Sequence, residues 1–296
     1  MKYTIYFFLR RLSQIITLIF FCCLPWLYTK DFNLIRGNLF SLDFINIPFV
    51  DPANSLQVSI FSLIYGGLPG IKILIGTGLV LLIAFLFGRV FCSFICPYGF
   101  FSELIHKKNI VDKPESESKN TFLYKLIIFI CILLITGFFS YPLLTIFSMP
   151  GSMTTAPFQF WAIADGGIIA CIITLIFPII ILVFESYIQK RIWCRFICPQ
   201  SVMLGLFSKI LPSKYLGLRI SWNKNACSCK KENPCRNACS LALNPRKLTG
   251  PERRDCVLCG DCLKECSKHG RALQLHILPK ERINHEDKPM DSPGIR

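Results

Sequence analysis

Four stretches of this chain, residues 12–28, 71–88, 122–147 and 163–188, are apolar for long enough to cross a bilayer. That excludes most soluble folds. A spanning helix needs roughly 20 mostly apolar residues, because lipid offers the backbone no hydrogen-bond partner. The third stretch passes Pro142 and the fourth Pro178, which spanning helices tolerate where neighbours satisfy the freed carbonyl. Composition agrees: the 296 residues are 52% hydrophobic and 17% charged, with a mean hydropathy of +0.48, whereas soluble domains carry about 25% charged residues. The arginine pair before the first stretch would suit a signal peptide. No small-residue cleavage site follows, so a retained helix is expected.

Loop lysines and arginines set the orientation. Lys2, Arg10 and Arg11 precede the first stretch; Arg89, Lys107, Lys108, Lys113 and Lys119 follow the second; Lys190, Arg191, Arg195, Lys209, Lys214 and Arg219 follow the fourth. Residues 29–70 hold only Lys30 and Arg36, and residues 148–162 none. Both termini are therefore expected on the cytoplasmic side of a bacterial inner membrane, with residues 29–70 along the outer surface. The net charge of +15 then has a membrane explanation. The basic residues flank the apolar stretches and no groove-reading motif is present, so nucleic acid is not expected as a partner.

Two of the apolar stretches end alike. "RVFCSFICPYGFFSEL" starts at Arg89 and "RIWCRFICPQSVMLGL" at Arg191, with seven identities in sixteen positions. The chain reads as two repeated two-helix halves, 1–121 and 122–221. Packed about a pseudo-twofold axis, the halves would bring Cys92, Cys96, Cys194 and Cys198 to one membrane edge. Cysteines at i and i+4 share a face of a helix, and the proline after the second favours an extended residue before it. Four thiolates are the usual ligand count of an iron–sulfur cluster. A redox dithiol and simple packing of a helix end stay open.

From about Trp222 the chain turns polar and cysteine-rich, and 222–278 reads as a small ferredoxin-like domain carrying two [4Fe–4S] clusters. "CVLCGDCLKEC" places Cys256, Cys259, Cys262 and Cys266 in the bacterial ferredoxin spacing, whose fourth cysteine serves the other cluster. Gly260 relieves the loop where backbone must approach the cluster, and Ser267 stands where proline is usual. The upstream set, Cys227, Cys229, Cys235 and Cys239, is irregular; only its last interval matches the ferredoxin ending. By the exchange logic, Cys239 joins Cys256, Cys259 and Cys262, while Cys227, Cys229, Cys235 and Cys266 form the second set. Zinc is the rival at either. In the reducing cytoplasm, clustered thiols are metal or redox groups rather than structural disulfides. Cys22, Cys23, Cys131 and Cys171 lie within apolar runs and are expected as small buried hydrophobes. Residues 279–296 read as a disordered tail.

Over about residues 10–275 the chain resembles the NapH-type membrane polyferredoxins, quinol dehydrogenase membrane components related to NosH, NosR and CcoG. The resemblance rests on "RRLSQ", the "LPW" at 24–26, "GNLFSLDFINIPFVDPANSLQ", both Cys-x-x-x-Cys-Pro motifs and "RRDCVLCGDCLKECS". It implies a membrane-bound electron-transfer subunit that passes electrons from quinol, often menaquinol, to a ferredoxin-like or cytochrome partner. The electrons continue toward a periplasmic reductase such as nitrate or nitrous oxide reductase. Neither the flavin-binding N-terminal domain of NosR-type members nor the C-terminal β-domain of CcoG-type members is expected here. Two other readings stay open: a CcoG-like copper or iron reductase, and a cluster-based redox regulator or maturation factor. The first would want exposed thiol or methionine ligands for the incoming metal, and the five methionines form no Met-x-x-Met pattern. Quinol oxidation also releases protons. Intramembrane ionisable groups that could take them are Asp165, Glu185, Glu103 and His106, each of which also reads as a solvated helix end.

Overall fold

The computed structural model describes residues 2–28, 35–39, 41–44, 47–68, 70–87, 89–106, 121–139, 144, 148–161, 167–210, 218–229, 233–248 and 255–277. Pro142, Asp165, the lysines of 107–119 and the tail 279–296 lie outside these residues.

Each apolar stretch is helical. Helix α1 is Lys2–Tyr28, α3 is Ile71–Phe87, α6 is Thr121–Phe139 and α8 is Gly167–Ile188. Three of them, over Thr4–Leu27, Thr121–Phe139 and Gly167–Ile188, are long and apolar enough to cross a membrane. Helix α3 has 17 residues, about 25 Å at the usual rise. Their outer faces are apolar and exposed; Phe138 and Tyr187 are each 84% exposed. This corrects the expectation for the apolar-run cysteines. Cys22, Cys23 and Cys131 are exposed and Cys171 is half-buried, because they lie on stripes that lipid, not protein, would cover. Helix α1 also begins at Lys2 rather than near Leu12, which carries Tyr6, Phe7 and Arg10 to the C-terminal unit.

Between the long helices the chain does more than connect. Strands β1 (Ile35–Asn38), β2 (Ser41–Phe44) and β3 (Ile47–Val50) form an antiparallel meander. Helix α2 (Pro52–Ile64) follows, with Asp51 as its N-cap accepting from the Ala53 amide at 3.1 Å and Pro52 in the first turn. The buried residues of α2, Pro52, Ala53, Ser55 and Gln57, all lie in its first half; Leu63 and Ile64 at its end are exposed. Helix α7 (Met149–Trp161) repeats the design in the second half of the chain, buried from Met149 to Ala156 and exposed at Phe160 and Trp161. Residues 29–70 therefore do not simply cover a surface: Asp51 bonds Gln200 beyond the second Cys-x-x-x-Cys-Pro motif.

The remaining membrane-side elements are the two cysteine turns. Helix α4 (Phe91–Phe94) runs into α5 (Pro97–Ile105), and a π-helical turn (Trp193–Ile197) runs into α9 (Pro199–Ile210). The packing of the halves is symmetric under exchange. Helix α1 packs on α4, α5 and α7; α6 packs on the π-turn, α9 and α2. Helix α5 packs on α7 and α8; α9 packs on α2 and α3. Each half thus lays its short helix against the post-cysteine helix of the other half. This crossed arrangement is what draws the two motifs together.

The C-terminal unit is closed by strands β4 (Leu218–Trp222) and β5 (Leu273–Ile277), paired antiparallel with Trp222 opposite Leu273. It begins a few residues before the change in composition. Between the strands lie α10 (Pro234–Asn237), a 3-10 turn (Pro245–Lys247) and α11 (Asp261–Cys266).

Candidate metal centres

The two Cys-x-x-x-Cys-Pro motifs build one group of four thiols. Cys92, Cys96 and Cys194 are buried in a single cluster, with Cys198 packed against it. The expectation of one helical face per pair is corrected: the helix breaks inside each motif. Cys96 and Cys198 sit in extended backbone, ψ 116° and 115°, immediately before the proline that opens the next helix. The break is the effect expected of the residue before proline. The Gly99 amide donates to Cys96 Sγ at 3.5 Å, and the Ser201 amide does the same for Cys198. Position 99 must be small, since a Cβ there would meet the Cys92 carbonyl oxygen at 2.3 Å.

Cys239, Cys256, Cys259 and Cys262 line one cavity with Leu241, Leu243 and Val257. Cys235 and Cys266 pack together with Cys227 beside them, and Cys229 interacts with Cys227 and Cys266. The cysteine loop turns through left-handed backbone at Leu258 (φ 57°) and Gly260 (φ 82°). A side chain at Gly260 would come within 3.0 Å of the Tyr6 ring, so glycine serves both the turn and the docking of α1. The three groups are contiguous. Cys239 and Cys259 share the buried cluster of Cys92, Cys96 and Cys194, while Cys262 shares that of Cys235 and Cys266.

Among the described residues, no three His, Cys, Asp or Glu side chains close on a single metal ion. The donor chemistry fits a polynuclear cluster instead. Thiols come in fours, the lining is apolar, and backbone amides point at sulfur: Leu243 to Cys239 at 3.4 Å and Leu273 to Cys266 at 3.2 Å. Burial pushes the free thiols up, to about 11 for Cys256 and about 12 for Cys198, with Cys96, Cys259 and Cys262 well above their ordinary value for the same reason. Such thiols stay protonated at neutral pH and give up the proton to a metal.

A frame of buried charge surrounds the thiols, and most of it was not singled out from the sequence. Arg10 donates to both oxygens of Glu103 at 2.7 and 2.6 Å, and Arg11 adds a third bond at 2.8 Å. Burial would push the Glu103 carboxyl up, but these arginines hold it below its ordinary range. Lys125, fully buried in α6, pairs with Asp255, the residue before Cys256; Arg89 lies 3.6 Å from the same carboxylate. Arg195 donates to the Leu241 and Ala242 carbonyls at 2.7 and 3.1 Å, the Arg191 amide donates to Ser240 O at 3.1 Å, and the Tyr6 hydroxyl donates to Leu258 O. These contacts clamp the C-terminal unit onto the helix ends. Glu185 accepts from Ser102 Oγ at 2.5 Å and the Trp193 amide at 2.9 Å. With Glu103, Glu185 and His106 all buried, none is the solvated helix end that the sequence also allowed. A charge inside an apolar run, as in "FLYKLIIFI" around Lys125, was the available signal.

Twelve cysteines in three contiguous groups, in a chain with three helices able to cross a membrane, support an iron–sulfur electron-transfer protein of the membrane. The 4Fe-4S binding domain family matches residues 70–114 and 171–218, one copy on each half of the repeat. Ferredoxin-type protein NapH of Escherichia coli (strain K12) is 26% identical over 275 residues, 88% of this chain and 86% of that protein. NapH of Haemophilus influenzae is 26% identical over 275 residues, 89% and 87% of the two chains. Methylamine utilization ferredoxin-type protein MauN of Paracoccus denitrificans is 25% identical over 260 residues, 86% and 82%. No solved structure matches the chain. Over most of its length the chain is similar to these ferredoxin-type proteins.

Proposed function

We propose that this chain takes electrons from a membrane quinol, menaquinol or a relative, and passes them toward a periplasmic reductase system such as nitrate or nitrous oxide reductase. A ferredoxin-like or cytochrome subunit receives them. The observation that carries the reading is the unbroken row of cysteine groups. It starts at the ends of the long helices with Cys92, Cys96, Cys194 and Cys198, continues through Cys239, Cys256, Cys259 and Cys262, and ends at Cys227, Cys229, Cys235 and Cys266. Two [4Fe–4S] clusters occupy the C-terminal groups and a third the membrane-edge group, so that one-electron carriers line up from lipid to the far side of the unit. A bound cluster supplies one-electron storage; the chain's residues hold it by thiolate and amide and keep water out. Four spans, with α3 as the shortest, put both termini and all twelve cysteines on the cytoplasmic side of the inner membrane. The loop distribution of lysine and arginine supports that orientation.

The test uses anaerobically purified full-length protein in lipid, with iron and sulfide quantified. A reduced menaquinol analogue is added and the cluster signals are followed by low-temperature EPR. Quinol-dependent reduction, with iron for three clusters, is expected. Cys96→Ser and Cys198→Ser should each remove one cluster's worth of iron. Loaded clusters that stay oxidised with quinol would refute this chain as the quinol-oxidising module.

A further inference from the structure

Arg191 is a buried cation that lacks the partner its burial demands. Its side chain is 2% exposed. Among the described residues no carboxylate oxygen lies within 4.0 Å of its guanidinium. The two nearest carboxylates act on it only at longer range: Glu103 is held by Arg10 and Arg11, and Glu185 by Ser102 and the Trp193 amide. What Arg191 does reach is sulfur. Nη2 lies 3.5 Å from Cys194 Sγ and 3.2 Å from where a side chain on Gly99, of the other half, would begin. Cys259 of the neighbouring group also acts on it.

The symmetry-related Arg89 is treated differently. It crosses to the second half, donating to the Cys194 carbonyl at 3.2 Å, but Asp255 stands 3.6 Å from it. A buried charge left without a counter-charge is costly enough that proteins rarely keep one. Arg89 thus has a share of one carboxylate, with Lys125 as the other claimant, whereas Arg191 has none within reach, and its surroundings are built for an anion.

We propose that Arg191 is the shared counter-cation of two anionic iron–sulfur thiolate clusters, one on Cys92, Cys96, Cys194 and Cys198 and one on Cys239, Cys256, Cys259 and Cys262, and that its charge raises the reduction potential of both. This rests on the reading that clusters occupy these thiols. Each reduction adds one electron and one negative charge to a cluster; the guanidinium keeps its proton and its place. Arg191 is a positioning residue: it touches the ligand sulfur, not the quinol.

The experiment is an EPR-monitored redox titration of anaerobically purified full-length protein, with iron and sulfide counted for each variant. Arg191→Gln should lower the equilibrium constant for reducing both clusters at least tenfold, which is about 59 mV for one electron. Arg191→Lys keeps the charge and should stay within threefold of the parent. Failure of Arg191→Gln to load clusters that Arg191→Lys does load also supports the proposal. Unchanged potentials in a fully loaded Arg191→Gln protein would overturn it, as would an equal loss of potential or of loading in both variants. If the parent holds clusters only in the C-terminal unit, the third-cluster reading fails by itself; the cluster that includes Cys259 still reports on Arg191.

Discussion

The two halves of the membrane region share their packing but not their charge. Both end a long apolar helix in an arginine followed by Cys-x-x-x-Cys-Pro, break the helix at the second cysteine, and lay a short helix against the partner half. In the first half Arg89 has Asp255 beside it, and Lys125 shares that carboxylate. In the second half Arg191 faces sulfur. The lesson is that backbone symmetry gathers the thiols, while asymmetric charge decides what each side of the gathered site does. One arginine reaches Asp255 of the C-terminal unit and the other a cysteine sulfur.

The largest expected effect comes from removing the anchor. Asp255→Ala leaves Lys125 and Arg89 buried without their carboxylate, and breaking a buried pair costs about 3–5 kcal/mol. Thermal unfolding in detergent should shift down, and proteolysis should release the C-terminal unit while the helices persist. A variant as stable and protease-resistant as the parent would mean that the anchor is not Asp255. The comparison sharpens at positions 99 and 201, which correspond in the repeat. Gly99→Ser forces a Cβ to within 2.3 Å of the Cys92 carbonyl oxygen, an overpacking expected to cost about 1–3 kcal/mol. Ser201→Gly should change stability by less. Equal effects would show that the turns are interchangeable and the asymmetry lies only in charge.

The smallest effect is read on apo-protein. Burial raises the thiols of Cys198 and Cys256, to about 12 and about 11, so the reactive thiolate is scarce at neutral pH and its fraction rises with pH. Alkylation at these residues, followed by peptide mass spectrometry, should be slow at pH 7 and increase through pH 10. Rapid labelling at pH 7 would show that the thiols are not buried in the absence of metal.

Much of the site was legible in the sequence, because cysteine spacing is a local property. The ferredoxin run from Cys256 to Cys266 needed no tertiary information. The placement of Cys96 and Cys198 was half legible: proline announces an extended neighbour, but "i, i+4" suggested a continuous helix that the same proline interrupts. The short helices were harder. Asp51-Pro52 carries a start signal of acidic N-cap and early proline, yet 13 residues are too few for a span, so apolar length alone does not announce the helix. Helix α7, "MPGSMTTAPFQFW", has a loop's composition; its burial against α5, α1 and α8 makes it helical. Four-residue strands are likewise too short to announce themselves. The charge frame stayed hidden for another reason: a buried pair such as Lys125–Asp255 joins residues 130 positions apart.

The contact between Tyr6 and Leu258 spans 252 positions. The helix that precedes both cysteine motifs is therefore gripped by a loop far downstream of it, and such long-range closure is slow. Until that loop arrives, Arg10 holds Glu103, but the Tyr6 hydroxyl lacks its acceptor at Leu258.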